Sequence, residues 1–321
     1  MAQILLVGVG AGIASALLFA SIISGALLSL FLFYLAPLPI MIAALGWSHW
    51  SALIAALVAA AGLALGFSSY LFMAFLLGIG LPAWWLGYLA LLARPVETPA
   101  GRTLEWYPVG RLVIWAAIIG SLIVVAVLLT LGQTEETVRS ELRRAFETLL
   151  RRSAPPEVRN QPDYGQRLDA LVAIAPPAAA VSVTFINALL LWLAGRIVTM
   201  SGRLRRPWPD VAQMSFPRVA PVLLAAAATG VLLASRLGLL GMISGIVVAS
   251  LATAYAILGF AVLHSITRGF SARGLVLGLA YVTVVLIWPA LVLIALLGLA
   301  DAAFDIRGRL TGKGGPPTLK S

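Results

Sequence analysis

The sequence predicts an all-α fold, a polytopic bundle of transmembrane helices, and two features of its composition indicate this. Of the 321 residues, 61% are hydrophobic and 11% are charged, whereas soluble globular domains carry about 25% charged residues. The apolar residues also run in unbroken blocks of about the 20 residues that a helix needs to cross a bilayer. We therefore expect lipid, and not water, to surround most of the chain.

About eight hydrophobic stretches are predicted to span the membrane. They cover residues 4–34, 38–66, 69–92, 109–131, 171–200, 218–236, 239–264 and 274–299. The corresponding parts of the chain are an N-terminal transmembrane half (1–131), a polar connector (132–170), a C-terminal transmembrane half (171–300) and a basic tail (301–321). Trp47 and its neighbours interrupt the second stretch, and such rings prefer the headgroup level. Residues 37–47 are therefore an alternative half-helix, which leaves seven or nine spans open.

A predicted amphipathic helix over residues 134–152 lies in the connector, between spans four and five. Thr134 is its candidate N-cap, and two glutamates in the first turn suit the positive end of the helix dipole. Apolar residues recur at helical spacing on one face. We expect this helix to lie in the membrane interface or to dock on a partner, and the alternative is a connector packed on its own protein.

Charge on this helix follows a regular order. Glu135 with Arg139, and Glu147 with Arg151, are predicted ion pairs at i,i+4 with the acid first. The basic side chains of its exposed side are Arg143, Arg144, Arg151 and Arg152. The net charge of +10 lies mostly in loops, which favours contact with anionic lipid headgroups. The sequence contains no soluble basic module with interleaved aromatic residues, so it does not indicate nucleic-acid binding.

Small residues recur every fourth position along the first stretch. They are Gly8, Gly12, Ala16, Ala20 and Ser24. Such a face lets another helix approach closely. The spacing predicts a helix-packing seam, formed either inside the protein or against a transmembrane partner.

Polar residues well inside the spans are few. The candidates for an intramembrane polar site are Thr184, Asn187, Tyr255 and Tyr281, and an unpaired amide is the most costly of these in hydrocarbon. Prolines interrupt several stretches and free backbone carbonyls there. Pro176 and Pro177 lie near the predicted start of a span, where they are expected to set its direction.

The end of the last stretch reads LGLADAAFDIRGRL and places Asp301 and Asp305 one helical turn apart. Because acids oppose the helix dipole there, we expect a local partner such as Arg307. The chain has no cysteine, and no P-loop, HExxH motif, dinucleotide glycine pattern or Ser-His-Asp order occurs. No catalytic residue, cofactor or metal site is therefore predicted, and we expect no enzyme activity.

Two segments carry a family resemblance: APLPIMIAALGW near the start, and LGLADAAFDIRGRL near the end. In these segments the sequence resembles the YybS-like family of bacterial predicted membrane proteins. That family is similar in layout to the substrate-binding S components of energy-coupling-factor transporters. The resemblance implies a location in the bacterial inner membrane and a first helix whose small-residue face docks a transmembrane partner. S components have about six spans and short loops, whereas this sequence predicts about eight spans and an amphipathic helix between spans four and five.

Function is predicted as a set of alternatives. The leading hypothesis is a small-molecule transport subunit, similar to an S component, that works with a separate transmembrane partner. The alternative is a membrane scaffold or envelope-assembly factor that docks a partner through the 134–152 helix. A third hypothesis is a lipid-modifying enzyme that uses Asp301 and Asp305.

Overall fold

The computed structural model describes residues 1–98, 101–153, 161–287 and 289–310, and these are mostly helical. Seven helical segments in this part of the chain are long and apolar enough to cross a membrane, and three shorter apolar helices accompany them. The predicted all-α polytopic bundle is therefore confirmed. The chain divides into two compact units, which are Met1–Ala116 with Phe185–Ser215 (unit 1) and Ala117–Thr184 with Phe216–Ser321 (unit 2).

Unit 1 begins with six helices. They are α1 (Ala2–Ala20), α2 (Leu27–Tyr34), α3 (Pro37–Gly46), α4 (His49–Gly66), α5 (Tyr70–Phe75) and α6 (Leu81–Ala90). The candidate spans are Ala2–Ser24, Leu27–Gly46, His49–Gly66 and Tyr70–Ala90, so α2 with α3, and α5 with α6, each form one crossing.

The first hydrophobic stretch contains a chain reversal that hydropathy does not reveal. Hydropathy predicts one span over residues 4–34, but one candidate span ends at Ser24 and the next begins at Leu27. Gly25 lies between them with φ 67, in the left-handed region that favours glycine. Apolar residues on both sides of this turn hide it from a composition-based prediction.

A β-hairpin that the sequence analysis missed follows α6. Strands β1 (Ala93–Thr98) and β2 (Gly101–Trp106) pair antiparallel, with Ala93 opposite Trp106. The guanidinium Nε of Arg94 lies 2.7 Å from Glu105 Oε2 across the two strands. The hairpin therefore keeps its acids paired with arginines beside the membrane spans.

Helix α4 forms the centre of unit 1 through a face of small side chains. The fully buried members are Ala52, Ala55, Ala56, Ala59 and Ala60. Helices α1, α3 and α6 pack against α4. Small side chains allow this close approach, since helix association in lipid depends on van der Waals packing.

Two long helices contribute to both units: α7 (Val109–Leu131) and α9 (Tyr164–Met200). The two compact units therefore do not correspond to an N-terminal half of the chain followed by a C-terminal half. Helix α9 has 37 residues, a length of about 55 Å at 1.5 Å per residue. Pro176 and Pro177 lie inside α9 and therefore do not mark the start of the helix. The helix begins seven residues before the predicted stretch 171–200, because its first turns are polar and hydropathy does not reveal them.

The remaining helices belong to unit 2. They are α8 (Glu135–Ser153), α10 (Val219–Leu232), α11 (Ala234–Leu237), α12 (Leu239–Ile266), α13 (Arg273–Leu286), α14 (Ala290–Phe304) and α15 (Ile306–Leu310). Helix α12 packs against α10 and α14. The predicted stretch 274–299 contains parts of both α13 and α14, and Pro289 stands at the start of α14. Proline ends the preceding helix because it supplies no N–H.

Candidate functional site

A cleft in unit 2 lies beside the proline-broken part of α9. Its volume is about 180 Å³, which is below the 300–1,000 Å³ typical of drug-sized pockets. The lining residues are Glu135, Arg139, Ala173, Pro176, Pro177, Ala234, Gly238, Gly241, Met242 and Gly245. Helices α8, α9, α11 and α12 therefore each present side chains or backbone to the same space.

The prolines expose backbone acceptors on the α9 wall of the cleft. Pro176 and Pro177 have no N–H to donate to the carbonyls of Val172 and Ala173, four residues earlier. Ala173 itself lines the cleft. One residue of the cleft wall therefore has a carbonyl that lacks its usual partner within the helix.

An ion pair at the start of α8 forms the polar wall. The Nε of Arg139 donates to Glu135 Oε1 at 2.7 Å, and both side chains remain partly exposed. Gly238 adopts φ 52, and a Cβ at this position would lie 3.6 Å from Glu135 Oε2. Glycine thus allows α12 to begin directly beside the carboxylate.

Small residues of α12 form the floor. Gly241 faces Ala234, and a Cβ there would come within 2.6 Å of its Cα. At Gly245 a Cβ would meet nothing within 4 Å. The cleft therefore has open space next to Gly245 that a larger side chain can fill without a clash at its Cβ.

Helix α8 is held in place by its N-cap and by its apolar face. The backbone N–H of Thr137 donates to Thr134 Oγ1 at 3.2 Å, as the sequence predicts. Val138 is fully buried. It lies in a cluster with Val124, Leu128, Ala180 and Ile246, and Leu142 packs against that cluster. The first half of α8 therefore packs on its own protein.

The charged side chains of α8 pair differently from one prediction. Glu135 with Arg139 forms as expected, but Glu147 accepts from Arg143 Nε at 3.3 Å and not from Arg151. Arg143 also contacts Asp169 of α9, and this second acid draws its guanidinium toward α9. Among the other basic residues, Arg144 Nη1 lies 2.6 Å from Glu141 Oε1, Arg151 is exposed and Arg152 belongs to the last turn of the helix.

The four intramembrane polar candidates have separate neighbours. Thr184 is fully buried and lies against Gly120 of α7. The ring of Tyr255, also buried, packs edge-on to Phe216 with centroids 5.2 Å apart. Tyr281 stacks on Phe260.

Asn187 is buried in unit 1 at 5% exposure. Its neighbour Thr184 belongs to unit 2. These positions do not line the cleft, and their role as a polar site stays a prediction.

The small-residue seam is an internal contact at its first two positions. A Cβ at Gly8 would lie 2.7 Å from Ile54, and one at Gly12 would lie 2.7 Å from the carbonyl of Ala55. Both partners belong to α4. Ala16 and Ala20 are half-buried, whereas Ser24 is exposed.

The terminal motif forms a closed local structure. Asp301 is buried, and Arg307 is its partner through a guanidinium Nη2 that lies 2.7 Å from Oδ2. Asp305 adopts φ 49 and accepts from the backbone N–H of Gly308 at 3.2 Å. The expected local partner is therefore present. Within the described ranges, no three His, Asp or Glu side chains come together as a metal site would require.

Comparison with known families places the chain in a broad class. A family model described as predicted membrane protein (DUF2232) matches residues 12–302. The chain belongs to this family. No curated protein and no solved structure matches it. Family membership and the candidate spans together make it a multi-pass membrane protein.

Proposed function

We propose that this family member is a small-molecule transport subunit of the bacterial inner membrane and that the cleft of unit 2 receives its solute. The observation that carries the proposal is the cleft itself, where a proline-broken helix meets the Glu135–Arg139 ion pair. Broken helices of transporters present backbone dipoles to a solute in the same way. The resemblance of two sequence segments to the YybS-like family, whose layout is similar to that of S components, supports the same class.

The chemistry of the cleft defines the kind of solute. The carbonyl of Ala173 and the carboxylate of Glu135 accept hydrogen bonds, while the guanidinium of Arg139 donates them. A water molecule occupies about 30 Å³ of liquid, so the volume of about 180 Å³ holds a solute of only a few heavy atoms. The proposed solute is small and carries both a donor group and an anionic or acceptor group.

The packing of α8 favours transport over the scaffold alternative. A docking helix needs a free apolar face, whereas Val138 is buried against α7, α9 and α12. The first two positions of the seam on α1 are also engaged, because Gly8 and Gly12 face α4. A transmembrane partner, as the transport proposal includes, would contact a different surface.

The experiment fills the cleft without disturbing the fold. In Gly245→Leu the new side chain enters open space, and Gly62→Leu on α4 is the control because a Cβ there also meets nothing within 4 Å. Purified proteins are heated with a panel of amino acids, short carboxylic acids and sugars. We expect one class of solute to raise the melting temperature of the wild type and the control but not of Gly245→Leu. Equal stabilisation of all three would contradict the proposal.

A second variant separates transport from scaffolding. Arg144 has a side chain 73% exposed and lies on the outer side of α8. Arg144→Glu with Arg151→Glu reverses charge there without touching the cleft. A transport subunit keeps its solute-dependent stabilisation in this variant, whereas a scaffold loses the proteins that co-purify with it.

A further inference from the structure

One end of unit 1 collects aromatic side chains from several span ends. The ring of His49, at the start of α4, lies 5.3 Å from Tyr88 near the end of α6. Trp84 stacks on the same Tyr88, and Trp85 packs edge-on to Trp115 of α7 at 5.5 Å. We call this surface the aromatic end. Aromatic rings at span ends are typical of the membrane interface.

Positive charge in unit 1 exceeds negative charge. Unit 1 contains three acids, and the hairpin arginines engage two of them, Glu97 and Glu105. The third, Asp210, accepts from the backbone N–H of Ala212 at 3.1 Å. The other arginines of unit 1 form no salt bridge within the described part of the chain, and they are Arg111, Arg196, Arg203, Arg205 and Arg206.

Three of these arginines are held by contacts inside unit 1, and one contact is to Trp47, which lies two residues before His49 and which we include in the aromatic end. The guanidinium of Arg203 lies 4.6 Å from the centroid of the Trp47 ring. That of Arg196 lies 5.0 Å from the Trp208 ring, and Arg206 Nη1 donates to the carbonyl of Ala90 at 3.1 Å. A guanidinium stacked on a ring keeps its in-plane N–H groups available. These side chains are therefore held ready for an acceptor.

Burial of the donor groups at this site favours the binding of an anion. Desolvation lowers the pKa of Arg206 from its ordinary value, because burial disfavours the cation. An anion beside it would reverse that effect. The indole Nε1 atoms of Trp47, Trp84 and Trp85 are also buried and have no acceptor among the described residues. Buried indole N–H groups usually have a partner, so these three indoles leave donors at the aromatic end for which the described residues supply no acceptor.

We propose that the aromatic end binds a phosphate group, with Arg203, Arg206 and the indole N–H of Trp47 as its donors. Arginine matches phosphate geometry through two parallel N–H groups. The position at span ends indicates the phosphodiester of an anionic phospholipid as the source, because headgroups lie at that level. Free inorganic phosphate offers the same chemistry and is separated from lipid by experiment.

The experiment titrates the purified full-length chain in a neutral detergent with three probes. These are phosphatidylglycerol, phosphatidylcholine and inorganic phosphate, and binding is followed by native mass spectrometry and by tryptophan fluorescence. Both lipids offer the same phosphodiester, but the choline cation of phosphatidylcholine is repelled by the arginines of the site. We therefore expect phosphatidylglycerol, which has a net negative charge, to bind about tenfold more tightly than phosphatidylcholine. Competition by millimolar inorganic phosphate would assign the site to free phosphate, and resistance to it assigns the site to lipid. Equal binding of the two lipids, with no response to phosphate, overturns the proposal.

Three variants test whether the site is built or only electrostatic. Arg203→Gln should weaken binding about tenfold, and Trp47→Phe should weaken it several-fold because it removes the N–H but keeps the ring. Arg205→Gln removes the same charge from the same loop, where no ring or hydrogen-bond contact holds the side chain, and should leave the affinity unchanged. If Arg203→Gln lowers the yield of folded protein, Trp47→Phe alone decides. Equal weakening by Arg203→Gln and Arg205→Gln, or no effect of Trp47→Phe, rejects a built site.

Discussion

Asp301 and Arg307 form a closed pair in which one residue engages both carboxylate oxygens of the other. The backbone N–H of Arg307 donates to Oδ1 at 3.0 Å, and its Nε donates to Oδ2 at 3.0 Å. The side chains are 3% and 15% exposed. The pair therefore links the short helix α15 to the last turn of α14.

Asp301→Asn is expected to destabilise the protein. The amide still accepts from the backbone, but the guanidinium of Arg307 is left buried without its charge partner, which costs about 3 kcal/mol. Thermal unfolding of the purified protein in detergent measures the loss. Asp305→Asn is the control, because Asn tolerates φ 49 and keeps an acceptor for Gly308.

The same variant bears on the lipid-modifying hypothesis, which stays a prediction. An enzyme that uses the Asp301 carboxylate would lose activity in Asp301→Asn with its fold intact. The ion pair instead predicts loss of stability, partly recovered by the double variant Asp301→Asn with Arg307→Gln. An undiminished melting temperature in Asp301→Asn would contradict a stabilising role for the pair.

Two glycines fix the distance between α12 and α14. A Cβ at Gly259 would collide with the carbonyl of Ile294, and one at Gly298 with the carbonyl of Tyr255. Gly298→Ala is therefore expected to separate the helices and to cost about 3 kcal/mol. Gly278→Ala on α13 meets nothing within 4 Å and should be neutral in the same thermal assay. Similar melting temperatures for both variants would show that α14 moves freely.

Local signals in the sequence predicted the features that depend on neighbouring residues. The Thr134 cap, the helix predicted over residues 134–152 and the pairing of Glu135 with Arg139 all follow from patterns along one helix. The partner of Asp301 could be predicted for the same reason, since Arg307 lies only six residues further along the chain. Composition alone was enough for the membrane class.

Features formed by residues far apart in the chain could not be predicted from the sequence. The cleft joins the start of α8, the middle of α9 and the start of α12, and nothing in the sequence indicates that Arg139 approaches Pro176 and Gly245. Ser15 donates to the carbonyl of Ala36, a contact that no spacing rule within one helix reveals. Glu147 pairs with Arg143 and not with Arg151, and Arg143 also pairs with Asp169 on another helix.

Removal of the two prolines of α9 should raise stability and reduce solute binding. Pro176→Ala with Pro177→Ala returns N–H donors to Val172 and Ala173, and an interior proline costs a helix about 3 kcal/mol. Pro221→Ala is the control: Pro221 lies in the first turn of α10, where the N–H has no partner within the helix. A rise in melting temperature for the double variant alone is expected. A fall would mean that the proline rings stabilise the protein by packing.

The role of α8 is tested by comparing two of its apolar residues. Val138 is fully buried, whereas Leu149 is 60% exposed. Val138→Ala removes two methyl groups from the cluster with Leu128 and Ile246, at a cost of about 2 kcal/mol. Leu149→Ala removes more apolar surface but should change the free energy of unfolding by under about 0.5 kcal/mol. The thermal unfolding of both variants is measured first in detergent and then in lipid nanodiscs. If α8 instead uses its apolar face to hold the membrane surface, Leu149→Ala should destabilise the protein in nanodiscs more than Val138→Ala does.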